Sequence, residues 1–256
     1  MAGLMSPNKA ARSSRAVPVP ASSLLELTLI PTFELRHDGG PIALPRTSAH
    51  LIAFLALNPG PVSRERVCAT LWPAADGPQA ALRTAIWRLR SVDIVRASRT
   101  HVWLSRKLII DVHRVHSFIR SSFDSTLSGD ALIRGAESLL AAAGGILADE
   151  TADWALDEQE WFRQEWLQAM DRIGEGLIEA GHSGRAVQVA LAASRAEPLR
   201  ESAHRLLVRV HTSQGNLIEA IRAYQRYAEL LHRELRLQPS SLMRNLMASV
   251  LQENTA

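Results

Sequence analysis

The sequence predicts a mainly α fold with a small β portion, arranged as two units. Three observations lead there. Short β-like runs punctuated by Gly and Pro are confined to the stretch before residue 113; from about residue 130 the pattern is helical and amphipathic almost throughout; and that second stretch repeats itself at a period of 34 residues. A length of 256 residues suits two domains, at roughly 100–200 residues each.

The front unit reads as follows. Residues 24–30 (LLELTLI), Phe33 to Arg36 and 42–44 (IAL) form strand-sized pieces around Pro31, Gly39-Gly40-Pro41 and Pro45, the pattern of a small antiparallel meander. A first helix is expected from about Ser48 to Leu57, stopped by Asn58-Pro59-Gly60. A second starts at Ser63, a good N-cap with Glu65 in its first turn, and ends at Trp72-Pro73. A third is announced by Asp76-Gly77-Pro78-Gln79, which has the form of a capping box, and is expected to reach about Ser91. Residues 94–97 (IVRA) and 101–104 (HVWL) follow as a hairpin, and 108–112 (LIIDV) as one more strand-like run. Strands, three helices and a hairpin, in that order, are the plan of a winged helix-turn-helix.

The rear unit is expected to be all α and tetratricopeptide-like. Gly181 and Gly215 are 34 residues apart, as are Ala186 and Ala220, and Pro198 closes the first repeat; a degenerate third unit is plausible at 150–170. We therefore expect an arm at 1–23, a winged helix at 24–120 and a helical-repeat domain at 121–256.

Charge separates the same two parts. Residues 24–120 hold thirteen Arg and Lys against seven Asp and Glu, whereas 150–256 hold twelve against fifteen. A basic front suits DNA, and an acidic rear suits something else. Of the 29 basic residues, 27 are arginine, whose planar fork fits bases and phosphates.

The third helix carries the chemistry. Across 81–90 (ALRTAIWRLR), Leu82, Ala85, Ile86 and Leu89 fall on one side, and Arg83, Thr84, Trp87 and Arg88 on the other with Arg90 at the flank. In a major groove Arg reads guanine in bidentate fashion and Thr meets a thymine methyl. Arg64 and Arg66 of the second helix, and Arg96 and Arg99 of the hairpin, are expected on phosphates, which position the protein without specifying sequence.

With these features in place, residues 24–252 resemble the Streptomyces antibiotic regulatory protein (SARP) family of transcriptional activators. The resemblance rests on the meander, LWP at 71–73, LR-x4-RLR from Leu82 to Arg90, DV at 111–112 with Phe118, G-x-L at 145–147 followed by Trp154, GNLIEAIRAYQRY at 215–227 and LRLQPS at 235–240. Gln159 stands where relatives often carry Arg. The resemblance implies an OmpR-type winged helix that binds direct repeats in promoter DNA and a bacterial transcriptional activation domain behind it. It further implies contact with RNA polymerase, a homodimer on the DNA, and control of secondary-metabolite genes. The alternative is a tetratricopeptide scaffold whose winged helix binds protein.

Other chemistry lacks support. Lys9 and Lys107 are the only lysines and neither lies in a G-x4-GK loop; GHSG at 181–184 is followed by Arg185 where a nucleophile elbow needs Gly. His113 and His116 have no third metal ligand in sequence and read as surface or interface residues. Trp154, Trp161 and Trp166, at helical spacing, are expected to pack a core, and Cys68 to be a small buried apolar residue. No enzyme activity, cofactor, metal or membrane partner is expected, and the single cysteine fits the reducing cytoplasm.

Overall fold

The computed structural model describes residues 24–124, 127 and 129–253; the expected arm at 1–23 lies outside the described residues. Alternation drives the first sheet. Strand β1 (Leu25–Thr28) turns Leu25 and Leu27 inward and pairs antiparallel with β2 (Glu34–His37), with Leu27 opposite Leu35. A tight turn through Asp38 and Gly39, both at positive φ, brings in β3 (Gly40–Pro41). Residues 42–44, expected as the third strand, are not one. Pairing with β2 starts directly after the turn, one further bond joins Ile42 N–H to the Leu35 carbonyl, and the chain then leaves for the first helix.

That helix, α1 (Arg46–Leu57), buries Leu51, Ile52, Phe54 and Leu55. Strand β4 (Val62–Ser63) leads into α2 (Arg64–Leu71), where Ser63 Oγ accepts from Arg66 N at 3.2 Å as the N-cap. Helix α3 spans Pro78–Arg88. The expected capping box does not form: the N-cap is Gly77, because Pro78 takes the first helical position, where its missing N–H costs nothing, and this moves the start one residue past Asp76. The far end also comes early. Leu89 and Arg90 donate to carbonyls three residues back, and Asp93 at φ 55° turns the chain away, so Arg90 stands in the closing turn and not in the helix.

Strands β5 (Val95–Ala97) and β6 (His101–Leu104) form the expected hairpin, and β4 adds to β6 for the order β4-β6-β5. Strand β7 (Leu108–Ile110) pairs parallel with β1, so the first sheet is mixed, in the order β3-β2-β1-β7, and not a plain antiparallel meander. The strand stops at Asp111, short of the expected 112. Its carboxylate accepts from Leu29 N and Ile30 N at 3.0 Å and from Val112 N at 2.7 Å, fastening β1 to the start of α4 (Asp111–Asp124).

Six further helices follow among the described residues: α5 (Gly129–Ala141), α6 (Asp153–Glu179), α7 (Ser183–Ala196), α8 (Glu201–Ser213), α9 (Leu217–Leu235) and α10 (Ser241–Glu253). The 34-residue period is visible in individual bonds. His182 N donates to Leu177 O and Asn216 N to His211 O, both at 2.8 Å, each beside a glycine at positive φ, and Ala186 and Ala220 are both fully buried. Ion pairs knit the helices: Arg163 of α6 reaches Glu197 at the end of α7, Arg209 and Arg200 of α8 and its N-cap reach back two helices to Glu175 and Asp171 of α6, and Arg185 of α7 reaches Glu137 of α5.

The two units meet without a linker, since β7 runs straight into α4. Around this join, Leu147 N donates to Leu29 O at 2.9 Å and Ala148 N to Pro31 O at 2.7 Å. Arg46 and His50 of α1 both reach Glu150, at 2.7 and 2.5 Å, and Asn58 donates to Glu158 at 3.3 Å. Phe54 and His50 set their rings edge-on to Trp154, and the Gln159 amide holds the carbonyls of Leu147 and Glu150. His113 bonds the Ala56 carbonyl and His116 pairs with Glu165, both as interface residues. Of the three tryptophans expected in a core, Trp154 and Trp166 are buried, the latter donating to Leu139 O, but Trp161 is 65% exposed. It falls on the outer side of α6, where helical spacing alone does not distinguish it from its neighbours.

Candidate nucleic-acid interface

Helix α3 is seated by Leu82, Ala85 and Leu89, all buried, against α1 and α2. This anchoring leaves Gln79, Ala80, Arg83, Thr84, Trp87 and Arg88 on a single open face, followed by exposed Arg90. Trp87 is 66% exposed and makes no ring contact among the described residues. It does not fold back over the hairpin. Thr84 Oγ donates to the Ala80 carbonyl at 2.9 Å, so its hydroxyl is spoken for and its methyl is the group left to meet a partner.

The arginines fall into two groups. Arg83, Arg88, Arg90 and Arg99 are exposed and, among the described residues, hold no carboxylate and no side-chain hydrogen bond. Arg64, Arg66 and Arg96 are engaged. Arg64 Nε donates to Ser98 O at 3.1 Å, bracing the hairpin on α2; Arg66 donates to Asn58 Oδ1 at 2.8 Å; and Arg96 forks onto Asp93. That fork raises the Arg96 pKa and lowers that of Asp93 through their shared hydrogen bond. Arg106 and Lys107, exposed in the turn between β6 and β7, join this basic surface. Sequence reading passed over them, although adjacent basic residues in a turn beside a hairpin are a usable signal.

Cys68 lies buried within α2, and burial pushes its thiol pKa up, with Arg64 opposing. No group of His, Cys, Asp and Glu able to hold a metal occurs among the described residues, and none of their helices is long and apolar enough to cross a membrane.

Comparison with known proteins adds the following. Residues 120–251 match the family model of the bacterial transcriptional activator domain. The fold is similar to that of Mycobacterium tuberculosis EmbR, solved in complex with a low affinity phosphopeptide, with a TM-score of 0.72 and 18% sequence identity; 90% of this chain and 66% of that chain are covered. The chain thus spans just under two thirds of the length of that protein. No curated protein matches it. The chain belongs to the bacterial transcriptional activator domain family, and it carries that domain behind a winged helix, in the manner of the SARP type of transcriptional activator.

Proposed function

We propose that this chain activates transcription by binding double-stranded promoter DNA as direct repeats, with α3 in the major groove. Residues 24–120 are the DNA-reading unit, and 121–256 the unit that contacts RNA polymerase or a neighbouring protomer; secondary-metabolite genes are the proposed targets. The observation that carries this is the open face of α3. Arginines of the rear unit such as Arg163, Arg200 and Arg209 hold carboxylates of neighbouring helices, whereas Arg83 and Arg88 hold none and flank an exposed tryptophan and a threonine methyl. Unpaired guanidinium groups on a helix that the fold holds outward are suited to base edges.

In this reading Arg83, Thr84, Trp87 and Arg88 face bases, and Arg90 and Arg99 face phosphate. Arg64, Arg66 and Arg96 reach phosphate by exchanging their present partners. Selection of bound duplexes from a random pool, followed by a mobility-shift series in salt, tests it. A selected motif repeated in one orientation supports the reading. No retardation even at low salt overturns it in favour of a protein-binding scaffold.

A further inference from the structure

Helices α4 and α5 meet along a cleft of about 430 Å³ that lies away from α3. Helix α3 packs on α1 and α2, whereas α4 and α5 pack on β1, α6, α7 and each other. The cleft is lined by Arg114, Ser117, Phe118 and Ser121 of α4 and by Arg134 and Ser138 of α5, each set at helical spacing on one side of its helix. No carboxylate lines it, and the nearest carboxylates along the two helices are engaged elsewhere. Asp111 accepts from the amides of Leu29, Ile30 and Val112, and Glu137 is held by Arg185. Arg114 and Arg134 are exposed and, among the described residues, hold no carboxylate and no side-chain hydrogen bond. The hydroxyls follow suit. Ser121, Ser122, Thr212 and Ser249 turn theirs back onto carbonyls of their own helices, the ordinary recourse of a helical hydroxyl, but Ser117 and Ser138 have no partner among the described residues. Between the two arginines lies the half-buried ring of Phe118. A Cβ on Gly135 would stand 1.6 Å from Phe118 Cζ, so only glycine lets α5 close onto that ring and bring the adjacent Arg134 to the cleft. Past Arg114 and Ser138 the groove runs on to Glu26 and Arg36 of the first sheet, so the stretch without carboxylates is bounded there.

We propose that this cleft binds a small molecule through a diphosphate group, one phosphoryl on each guanidinium, with the Ser117 and Ser138 hydroxyls as further donors. The planar fork of an arginine takes two oxygens of one phosphoryl group, so two arginines on facing helices suit two such groups in one ligand. Phe118 offers an apolar surface to a ring attached to the diphosphate. Duplex DNA also carries phosphates, but it is a rod met at α3, whereas a concave site between helices suits a compact ligand. The site does not depend on the function proposed above. A ligand held there grips α4, the helix through which the front unit passes into the rear one.

Isothermal titration calorimetry of the full chain at low salt tests this, with inorganic pyrophosphate and ADP as the titrants. Pyrophosphate is expected to bind saturably at one site per chain. Arg114→Gln and Arg134→Gln, both at exposed positions and checked for fold by circular dichroism, are each expected to weaken it by roughly tenfold or more, as loss of a charge-assisted hydrogen bond does. Arg120→Gln, exposed on α4 but outside the cleft, is expected to leave it unchanged. Either rank of the two titrants keeps the site: ADP tighter than pyrophosphate points to a nucleotide-like source, and ADP no tighter points to recognition of the diphosphate alone. Binding that does not saturate, or cleft variants that bind like wild type, overturns the proposal. So does an Arg120→Gln as costly as the other two, which marks general attraction of an anion to a basic surface. DNA affinity is expected to be essentially unchanged in all three variants. A fall confined to Arg114→Gln and Arg134→Gln, with no pyrophosphate binding by wild type, assigns the two arginines to the DNA backbone instead.

Discussion

Thr84 shows how one hydrogen bond decides what a side chain offers. With its hydroxyl turned back onto Ala80, the methyl faces outward. Thr84→Val is therefore expected to keep the base preference and Thr84→Ser to lose about 1 kcal/mol of discrimination at one position, read from competition with single-base variants of the selected site. Arg83→Ala is expected to lose about 1–3 kcal/mol at its own position, whereas Arg99→Ala weakens binding to all sequences alike and lowers the salt slope by about one. Arg96 differs from both because Asp93 holds it. Asp93→Asn removes the competitor and one negative charge, so DNA affinity is expected to rise at low salt and the gain to vanish at high salt. The pattern of α3 was legible in sequence because its buried side follows a 3.6-residue period. Which arginines are already occupied was not, since Ser98, Asn58 and Asp93 become partners only through folding of the hairpin and the join.

Among the elements, the helix order, the hairpin, the Ser63 cap and the 34-residue repeat were legible, because Gly, Pro and apolar spacing act locally. The misses came where local signals compete. Pro78 and Asp76 each specify a helix start, and the proline prevails. In 108–112 an apolar run suits both a strand and a helix entry, and only pairing of β7 with β1 divides it at Asp111, so α4 begins well before the helical stretch expected from 130. Close approach of α6 and α8 is a further property that only the fold reveals. A Cβ on Gly174 would stand 2.2 Å from Leu206 Cδ2, and Leu206 is itself buried. Gly174→Ala is expected to destabilise the protein by about 1–3 kcal/mol through overpacking, despite the better helix propensity of alanine. Urea unfolding would show it as a lower midpoint at unchanged slope.

At the scale of the whole molecule, acid should loosen the join between the units. Although burial pushes the Glu150 carboxyl up, hydrogen bonds from Arg46, the Ala152 amide and His50 hold it at about 2, against an ordinary value of 4.5. A depressed carboxylate contributes stability that is complete above the unfolded value and is lost as pH falls toward the folded one. The Glu150 contribution is thus expected to fade between about pH 4.5 and 2. His116 acts earlier and in the same direction: burial lowers its pKa, with Glu165 opposing, so protonation below about 6.5 favours the unfolded chain. Thermal melts across pH are expected to decline from there and to steepen below 4.5. Glu150→Gln lowers the melting point at neutral pH and flattens the steep part.

Under the proposed function, the direct passage of β7 into α4, with Asp111 clamping it to β1, bears on the geometry of a promoter. A jointed molecule would let each helical-repeat unit find its neighbour whatever the rotational setting of the two sites. A stiff one carries the azimuth of α3 into the orientation of its rear surface. Copies on adjacent repeats should then cooperate only when the repeats lie on the same face of the duplex. Inserting about 5 base pairs between them, half a helical turn, is expected to abolish cooperative footprinting, and inserting about 10 to restore much of it.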